Sequence, residues 1–212
     1  MNRKETKKIK VGNIYVGGDS PISIQSMNNT DTRDVKATIN QIKALQMAGC
    51  DITRCAVLDM DAADALKEIT SSVEIPVVAD IHFDYKLALR SIENGVAALR
   101  INPGNIGSRE RVKLVAKAAK EKGIPIRIGV NSGSLEKELL EKYNGVCPEA
   151  LVESALKHVN ILEDINFDDI VISIKSSNVN QMIESYRMIS SKVNYPLHIG
   201  VTESGTIWRG KI

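Results

Sequence analysis

A chain of 212 residues, 43% hydrophobic and 25% charged, carries enough apolar content for one sizeable core. Its 28 Lys and Arg are nearly matched by 26 Asp and Glu, so a net charge of +2 excludes a general nucleic-acid surface, and 4% aromatics exclude stacking platforms for single strands. No stretch approaches the roughly 20 apolar residues of a membrane span, and the basic opening over 1–8 has no apolar segment behind it, so the sequence reads as cytoplasmic.

Taken in chain order, Lys8-Ile9-Lys10-Val11 and Ile14-Tyr15-Val16 flank Gly12-Asn13, a hairpin signal expected to cap the floor of whatever follows. A first strand is expected over 22–27. The helix behind it runs from Thr32 to Met47, with Val35, Ile39, Ile42 and Leu45 on one face, Asp31 or Thr32 as N-cap and Gly49 as the stop. Short apolar runs then end in polar clusters at Arg54, at Asp80-Ile81-His82 and at Arg100-Ile101-Asn102-Pro103-Gly104. A helix over 109–122 stops at Gly123 and leads to Arg127-Ile128-Gly129-Val130-Asn131. The longer gap from Leu135 to Leu162, broken at Asn144-Gly145 and Pro148, predicts two helices before Ser173-Ile174-Lys175. A last run, 198–203, ends at Glu203. Seven strands alternating with crossover helices predict a TIM-type (β/α) barrel, and such barrels keep their chemistry at the polar ends of the strands.

Strand parity gives that chemistry a direction. Side chains alternate across a strand, so Arg100 and Asn102 share a face, as do Arg127, Gly129 and Asn131, and Ser173, Lys175 and Ser177. Successive polar residues on one face are costly inside a packed core, which points them into an open mouth. There the guanidinium forks of Arg54, Arg100 and Arg127 and the ammonium of Lys175 converge on an anion, phosphate above all. Backbone amides are expected from 102–107 and from 131–134, the latter beside a helix N-terminus. Any one of these arginines could equally be a barrel salt-bridge residue. Asp80, His82 and Glu203 are each an acid, a base or an anchor for a substrate hydroxyl, with a plain Asp–Arg pair as the alternative for Asp80. His158 sits in a helical pattern and reads as a surface or packing residue. No metal-ligand spacing occurs, and Cys50, Cys55 and Cys147 form no CxxC pair, so buried free thiols are expected.

Five motifs, Gln25-Ser26-Met27-Asn28-Asn29-Thr30, Ala79-Asp80-Ile81-His82-Phe83, the run from Leu99 to Gly107, the run from Arg127 to Leu135 and the run from His198 to Thr206, resemble the 4-hydroxy-3-methylbut-2-enyl diphosphate synthase family from about Ile9 to Ile212. The resemblance implies an oxidoreductase of non-mevalonate isoprenoid biosynthesis that reductively opens 2-C-methyl-D-erythritol 2,4-cyclodiphosphate with electrons from flavodoxin or ferredoxin. It implies diphosphate contacts at Arg54, Arg100, Asn102, Arg127, Asn131, Lys175 and Ser177. It implies further that a full-length member is a homodimer with a C-terminal domain holding a 4Fe-4S cluster. That domain and the eighth strand are expected to lie beyond 212, leaving 1–212 as one barrel domain with strands from about 22, no cluster ligand of its own, and open edges at 22–27 and 197–201 unless the tail with Trp208 fills the gap. A pterin-binding barrel of the dihydropteroate synthase type and a non-catalytic diphosphate-binding fragment are the alternatives.

Overall fold

The computed structural model describes residues 3–102 and 104–200. Strands β1 (Ile9–Val11) and β2 (Ile14–Val16) form the expected antiparallel hairpin, with Val11 opposite Ile14 and Gly12 in the left-handed region at φ +58°. Gly12 is needed for space as well as for its turn, since a Cβ there would stand 3.0 Å from Pro76 Cγ. Val11 packs with Ile52, Val78 and Ala98 in a small cluster of its own, so the hairpin does plug the barrel floor.

Six strands follow in a single parallel sheet whose spatial order is the chain order: β3 (Gln25–Met27), β4 (Ile52–Val57), β5 (Val77–Ile81), β6 (Ala98–Ile101), β7 (Ile126–Asn131) and β8 (Ile170–Lys175). Between them run α1 (Val35–Met47), α2 (Met60–Ser71), α3 (Tyr85–Glu93), α4 (Arg109–Lys122), α5 (Lys137–Lys142), α6 (Pro148–Glu163) and, after β8, α7 (Val179–Lys192). One face of every long strand is apolar. Cys55, Val57, Ala79, Ile81, Leu99, Ile101, Ile126, Ile128, Ile172 and Ile174 pack against helix residues such as Leu66, Val115 and Leu151 in the main core. Burial of that continuous surface is the dominant stabilising term. The curled parallel sheet with an outer helical layer is the TIM-barrel-like fold that the strand rhythm predicts.

Three boundaries differ from the sequence reading. Helix α1 starts later than Thr32 because both proposed caps are taken elsewhere: the Asp31 carboxylate binds Arg33 at 2.6 Å, and Thr32 Oγ donates to Ala56 O at 2.6 Å. Asp34 caps instead, accepting from Ala37 N at 3.0 Å. The first strand is reduced to Gln25–Met27, with Ile22 and Ile24 exposed and the Asp51 carboxylate, not a neighbouring strand, accepting from Ile24 N at 2.7 Å. At the seventh position, among the described residues, only Leu197 forms a bridge, to Ile172, through His198 N donating to Ile172 O at 2.8 Å and Ile172 N donating to Pro196 O at 3.0 Å. The two helices expected in the 135–162 gap are α5 and α6, separated by Asn144 and Gly145, both at positive φ, and Pro148 opens α6. Glu203, Trp208 and the remainder of the seventh run lie outside the described residues.

Candidate anion-binding site

Ladder register puts the chemistry one rung above the plugged floor. Asp80 lies opposite Arg100, Arg100 opposite Arg127, Arg54 between Met27 and Val78, and Lys175 opposite Asn131. Since Ile52, Val78 and Ala98 form the apolar floor with Val11, the next residues of the same parity, Arg54, Asp80 and Arg100, stand directly over it.

Asp80 is the hub. Its carboxylate is almost wholly buried, with Arg54 Nε 3.4 Å from Oδ2 and Arg100 Nη1 donating to Oδ1 at 3.2 Å. Arg100 Nη2 donates to Gly129 O at 3.1 Å, and its guanidinium lies flat on Gly129, where a Cβ would come within 2.2 Å of Nε. The glycine of the Arg127-to-Asn131 run is therefore a seat for an arginine. Arg54 also places Nη2 2.8 Å from Met27 Sδ, a weak acceptor.

Arg127 and Lys175 are held differently. Arg127 is 5% exposed and among the described residues makes one side-chain hydrogen bond, Nη1 donating to Gln25 Oε1 at 2.8 Å, while Nε and Nη2 are buried with no described partner. Burial first, then repulsion from Arg54 and Arg100, pushes its pKa down to about 9. A guanidinium does not give up its proton at working pH, so that displacement expresses how unfavourably the charge is housed. Lys175, half-buried and without an ion pair among the described residues, is pushed down to about 8 by burial and by Arg54, Arg127 and Arg100. Burial and three of these cations take His198 down to about 3, so its ring is neutral. Among the described residues, four cations thus stand around one carboxylate. A cavity of about 610 Å3 is lined by three of these cations, Arg54, Arg127 and Lys175, together with Gln25, His198 and the floor residues, and by Arg3 and Lys4 from the N-terminal segment. Partly desolvated cations that outnumber their counter-charges among the described residues form a site whose chemistry suits an anion.

The other residues singled out in the sequence are placed as follows. Asn102 is buried just past β6, and its Oδ1 accepts from Gly104 N at 3.1 Å, shaping the loop beyond the strand. Asn131 ends β7 and its Oδ1 accepts from Gly133 N at 3.1 Å. The helix N-terminus expected beside it is absent: Ser132–Ser134 is a single 3-10 turn, and α5 begins only at Lys137 behind Glu136, itself an anion. Ser177 is exposed beyond β8, whereas its neighbour Ser176 is buried, its Oγ accepting from Asn178 N at 3.1 Å. His82 stands at the rim with Nε2 3.9 Å from Asp80 Oδ1, too far for a hydrogen bond. Of the surface and packing alternatives for His158, the structure selects packing: the ring is buried against Gly104, with Nε2 3.1 Å from Glu136 Oε1, and it holds the Glu136 carboxyl at about 2. Sequence reasoning missed Gln25 and His198 as site residues. Strand parity pointed to Gln25, which shares the face of Met27. For His198 no periodic signal existed, since its segment makes a single bridge.

Comparison with known proteins adds the following. Residues 6–212 match the family described as the GcpE TIM-barrel domain. The chain is 74% identical over 212 residues to a 4-hydroxy-3-methylbut-2-en-1-yl diphosphate synthase (flavodoxin) of Clostridium acetobutylicum, covering 100% of this chain and 61% of that protein. The proteins of the same name from Clostridium perfringens and Symbiobacterium thermophilum are 73% and 57% identical over 212 residues, with 61% and 57% of their lengths covered. The chain therefore spans about three fifths of the length of these curated relatives. Among solved structures, Yersinia pestis dihydropteroate synthase with a pterine-sulfa conjugate aligns with a TM-score of 0.66 at 9% identity, over 92% of this chain and 77% of that one. The 3-dehydroquinate dehydratase of Geobacillus kaustophilus aligns with a TM-score of 0.63 at 14% identity, over 92% and 78%. At such identities the likeness is one of fold alone.

Proposed function

Because this chain belongs to the GcpE family over residues 6–212, we propose that its barrel binds the diphosphate of 2-C-methyl-D-erythritol 2,4-cyclodiphosphate for the reductive ring opening that forms 4-hydroxy-3-methylbut-2-enyl diphosphate in isoprenoid biosynthesis. The observation that supports it is the gathering of Arg54, Arg127 and Lys175 in the lining of one cavity, with Arg100 beside Arg54 on Asp80, the one carboxylate paired with these cations among the described residues. Arg127 and Lys175, which lack a counter-ion among the described residues, are the direct anchors. Arg54 and Arg100 are held in advance by Asp80 and Gly129, so they meet the substrate without reorganising. Asn102, Asn131 and Ser177 complete the shell of hydrogen bonds at the mouth. Asp80, His82 and Glu203 are the acid–base and hydroxyl-anchoring candidates; Asp80, already shared by two guanidiniums, serves first to orient them. The dihydropteroate synthase alternative has only a distant likeness of fold in its favour.

The reductive step needs two electrons, for which flavodoxin is the donor that the relatives' names carry. In our reading these pass through a 4Fe-4S cluster carried by another part of a full-length, homodimeric, cytoplasmic enzyme. The residues described here do not fit such a cluster: no three His, Cys, Asp or Glu side chains gather, Cys50 and Cys55 are buried apart from the cavity lining, and Cys147 stands at the start of α6. No step is therefore assigned through it on this chain. No described helix is long and apolar enough to cross a membrane. Calorimetric titration of the cyclic diphosphate and of its dephosphorylated polyol tests the reading. Binding of the first, weakened by added salt, with none of the second is expected; equal binding of both overturns it.

A further inference from the structure

We propose that Tyr186 is a positioning residue for the anion site, its hydroxyl a spacer set between β8, which carries Lys175, and the segment 196–198, which carries His198. The proposal rests on the anion-binding reading of the cavity, which both of those side chains line. It starts from the place where the sheet stops being a regular ladder. The segment after α7 pairs once with β8, Ile172 N donating to Pro196 O at 3.0 Å and His198 N donating to Ile172 O at 2.8 Å. In a parallel ladder the next bond along β8 runs from Ile174 N to His198 O. Here a side chain stands in that bond: Ile174 N donates to Tyr186 Oη at 3.0 Å, and Tyr186 Oη donates to His198 O.

A phenol suits the place. An amide only donates and a carbonyl only accepts, whereas a hydroxyl does one of each, so neither backbone group is left orphaned. Burial pushes the phenol up to about 12, so it keeps the proton it donates. The ring is fixed from the other end, since Tyr186 is buried on α7 and packs in the main core. A direct bond would hold Ile174 N and His198 O about 2.9 Å apart. The inserted oxygen holds them further apart, and among the described residues the pairing stops at Leu197. Ile174 immediately precedes Lys175, and His198 is held at its N–H by Ile172 and at its carbonyl by Tyr186. One hydroxyl therefore fixes the backbone behind a cation of the site and the backbone behind the neutral ring beside it. Separation at this level is set by a helix outside the sheet, and a ring that only filled the core would need no oxygen.

The test uses this chain with inorganic diphosphate as the probe. In Tyr186→Phe the ring stays and only the hydroxyl goes, while Ile189→Val trims the same helix in the same core without touching the ladder. Both changes weaken the fold. Calorimetry is expected to show diphosphate bound at least tenfold more weakly by Tyr186→Phe, but within twofold of wild type by Ile189→Val. In the wild-type chain, amide exchange followed by NMR is expected to slow on binding at least threefold more at Ile174 than at Ile172, whose N–H bonds the backbone directly on the same edge. That readout needs no variant to fold. Equal affinities for Tyr186→Phe and wild type, equal losses in both variants, or Ile174 slowed no more than Ile172 would each overturn the spacer and leave the anion reading standing. No diphosphate binding by wild type overturns both.

Discussion

Replacing Arg127 by Met separates what the cation does for the fold from what it does for a ligand. The guanidinium is 5% exposed, with one hydrogen bond and two buried nitrogens unpartnered. A displacement from 12.5 to about 9 corresponds, at about 1.4 kcal/mol per pH unit, to roughly 5 kcal/mol of disfavour for the charged form as an upper bound. Against this, the variant leaves Gln25 Oε1 without its donor, a loss of about 1–3 kcal/mol. Exchanging buried charge for apolar volume is commonly neutral or stabilising by about 1–4 kcal/mol, so Arg127→Met is expected to unfold about 1–3 kcal/mol later in urea than wild type without ligand. Diphosphate affinity should fall by about 2–5 kcal/mol, because a desolvated charge-assisted contact is lost. The assay is paired urea unfolding with and without diphosphate. At 100 times the wild-type Kd the ligand should add about 2.7 kcal/mol to wild type and less than about 1 kcal/mol to the variant. A variant that is less stable than wild type yet binds diphosphate equally well would refute the reasoning, since Arg127 would then be a structural residue satisfied by its surroundings.

Asp80→Asn removes the one carboxylate among the cations and should destabilise the free chain by about 3–5 kcal/mol, with diphosphate restoring more stability than it adds to wild type; chemical unfolding at two ligand concentrations checks this. Gly129→Ala forces Arg100 off its seat, so a stability loss of about 1–3 kcal/mol together with a drop of tenfold or more in diphosphate affinity is expected by calorimetry. The folded pKa of Lys175, about 8, lies below its ordinary 10.5, so between these values the unfolded chain binds more protons and the contribution of this group to stability rises with pH. An anion reverses that shift: with Arg54, Arg100, Arg127 and Asp80 as the facing charges, affinity should be full below pH 8 and decline above it. Calorimetry at pH 8 in buffers of different ionisation heat should show proton uptake on binding, and uptake near zero would count against Lys175 as an anchor.

What was legible in the sequence followed from period and charge. Parity placed Arg100 and Arg127 each on the inner face of its own strand, because β6 and β7 are regular and their alternate residues are all apolar, and the register sets the two opposite each other. It could not show that Asp80 would be shared by two arginines, since pairing depends on the stagger between strands. Nor could it show that Gly129 exists for Arg100, because close approach across strands leaves no local mark. The first strand was overextended because Ile22 and Ile24 look like core yet are exposed. The α1 start was misplaced because three candidate caps stand within four residues, and tertiary contacts to Arg33 and Ala56 removed two of them.

The position of the cations, more than their number, gives them their effect. On a surface, four such groups would be hydrated and screened, each worth less than about 1 kcal/mol to a partner anion. Here the hairpin residue Val11 closes the floor with Ile52, Val78 and Ala98 beneath Arg54, Asp80 and Arg100, whose side chains are largely withdrawn from water at 12%, 5% and 16% exposure. In that lower dielectric each cation acts more strongly on an anion, and equally on its neighbours, as the displaced pKa values of Arg127, Lys175 and His198 register. The free fold therefore carries repulsion that an anion relieves, and binding energy arises from strain already built into the barrel as well as from new hydrogen bonds. A hairpin of six strand residues, none of which forms a described ion pair with Arg54, Asp80, Arg100, Arg127 or Lys175, is in this sense part of the site.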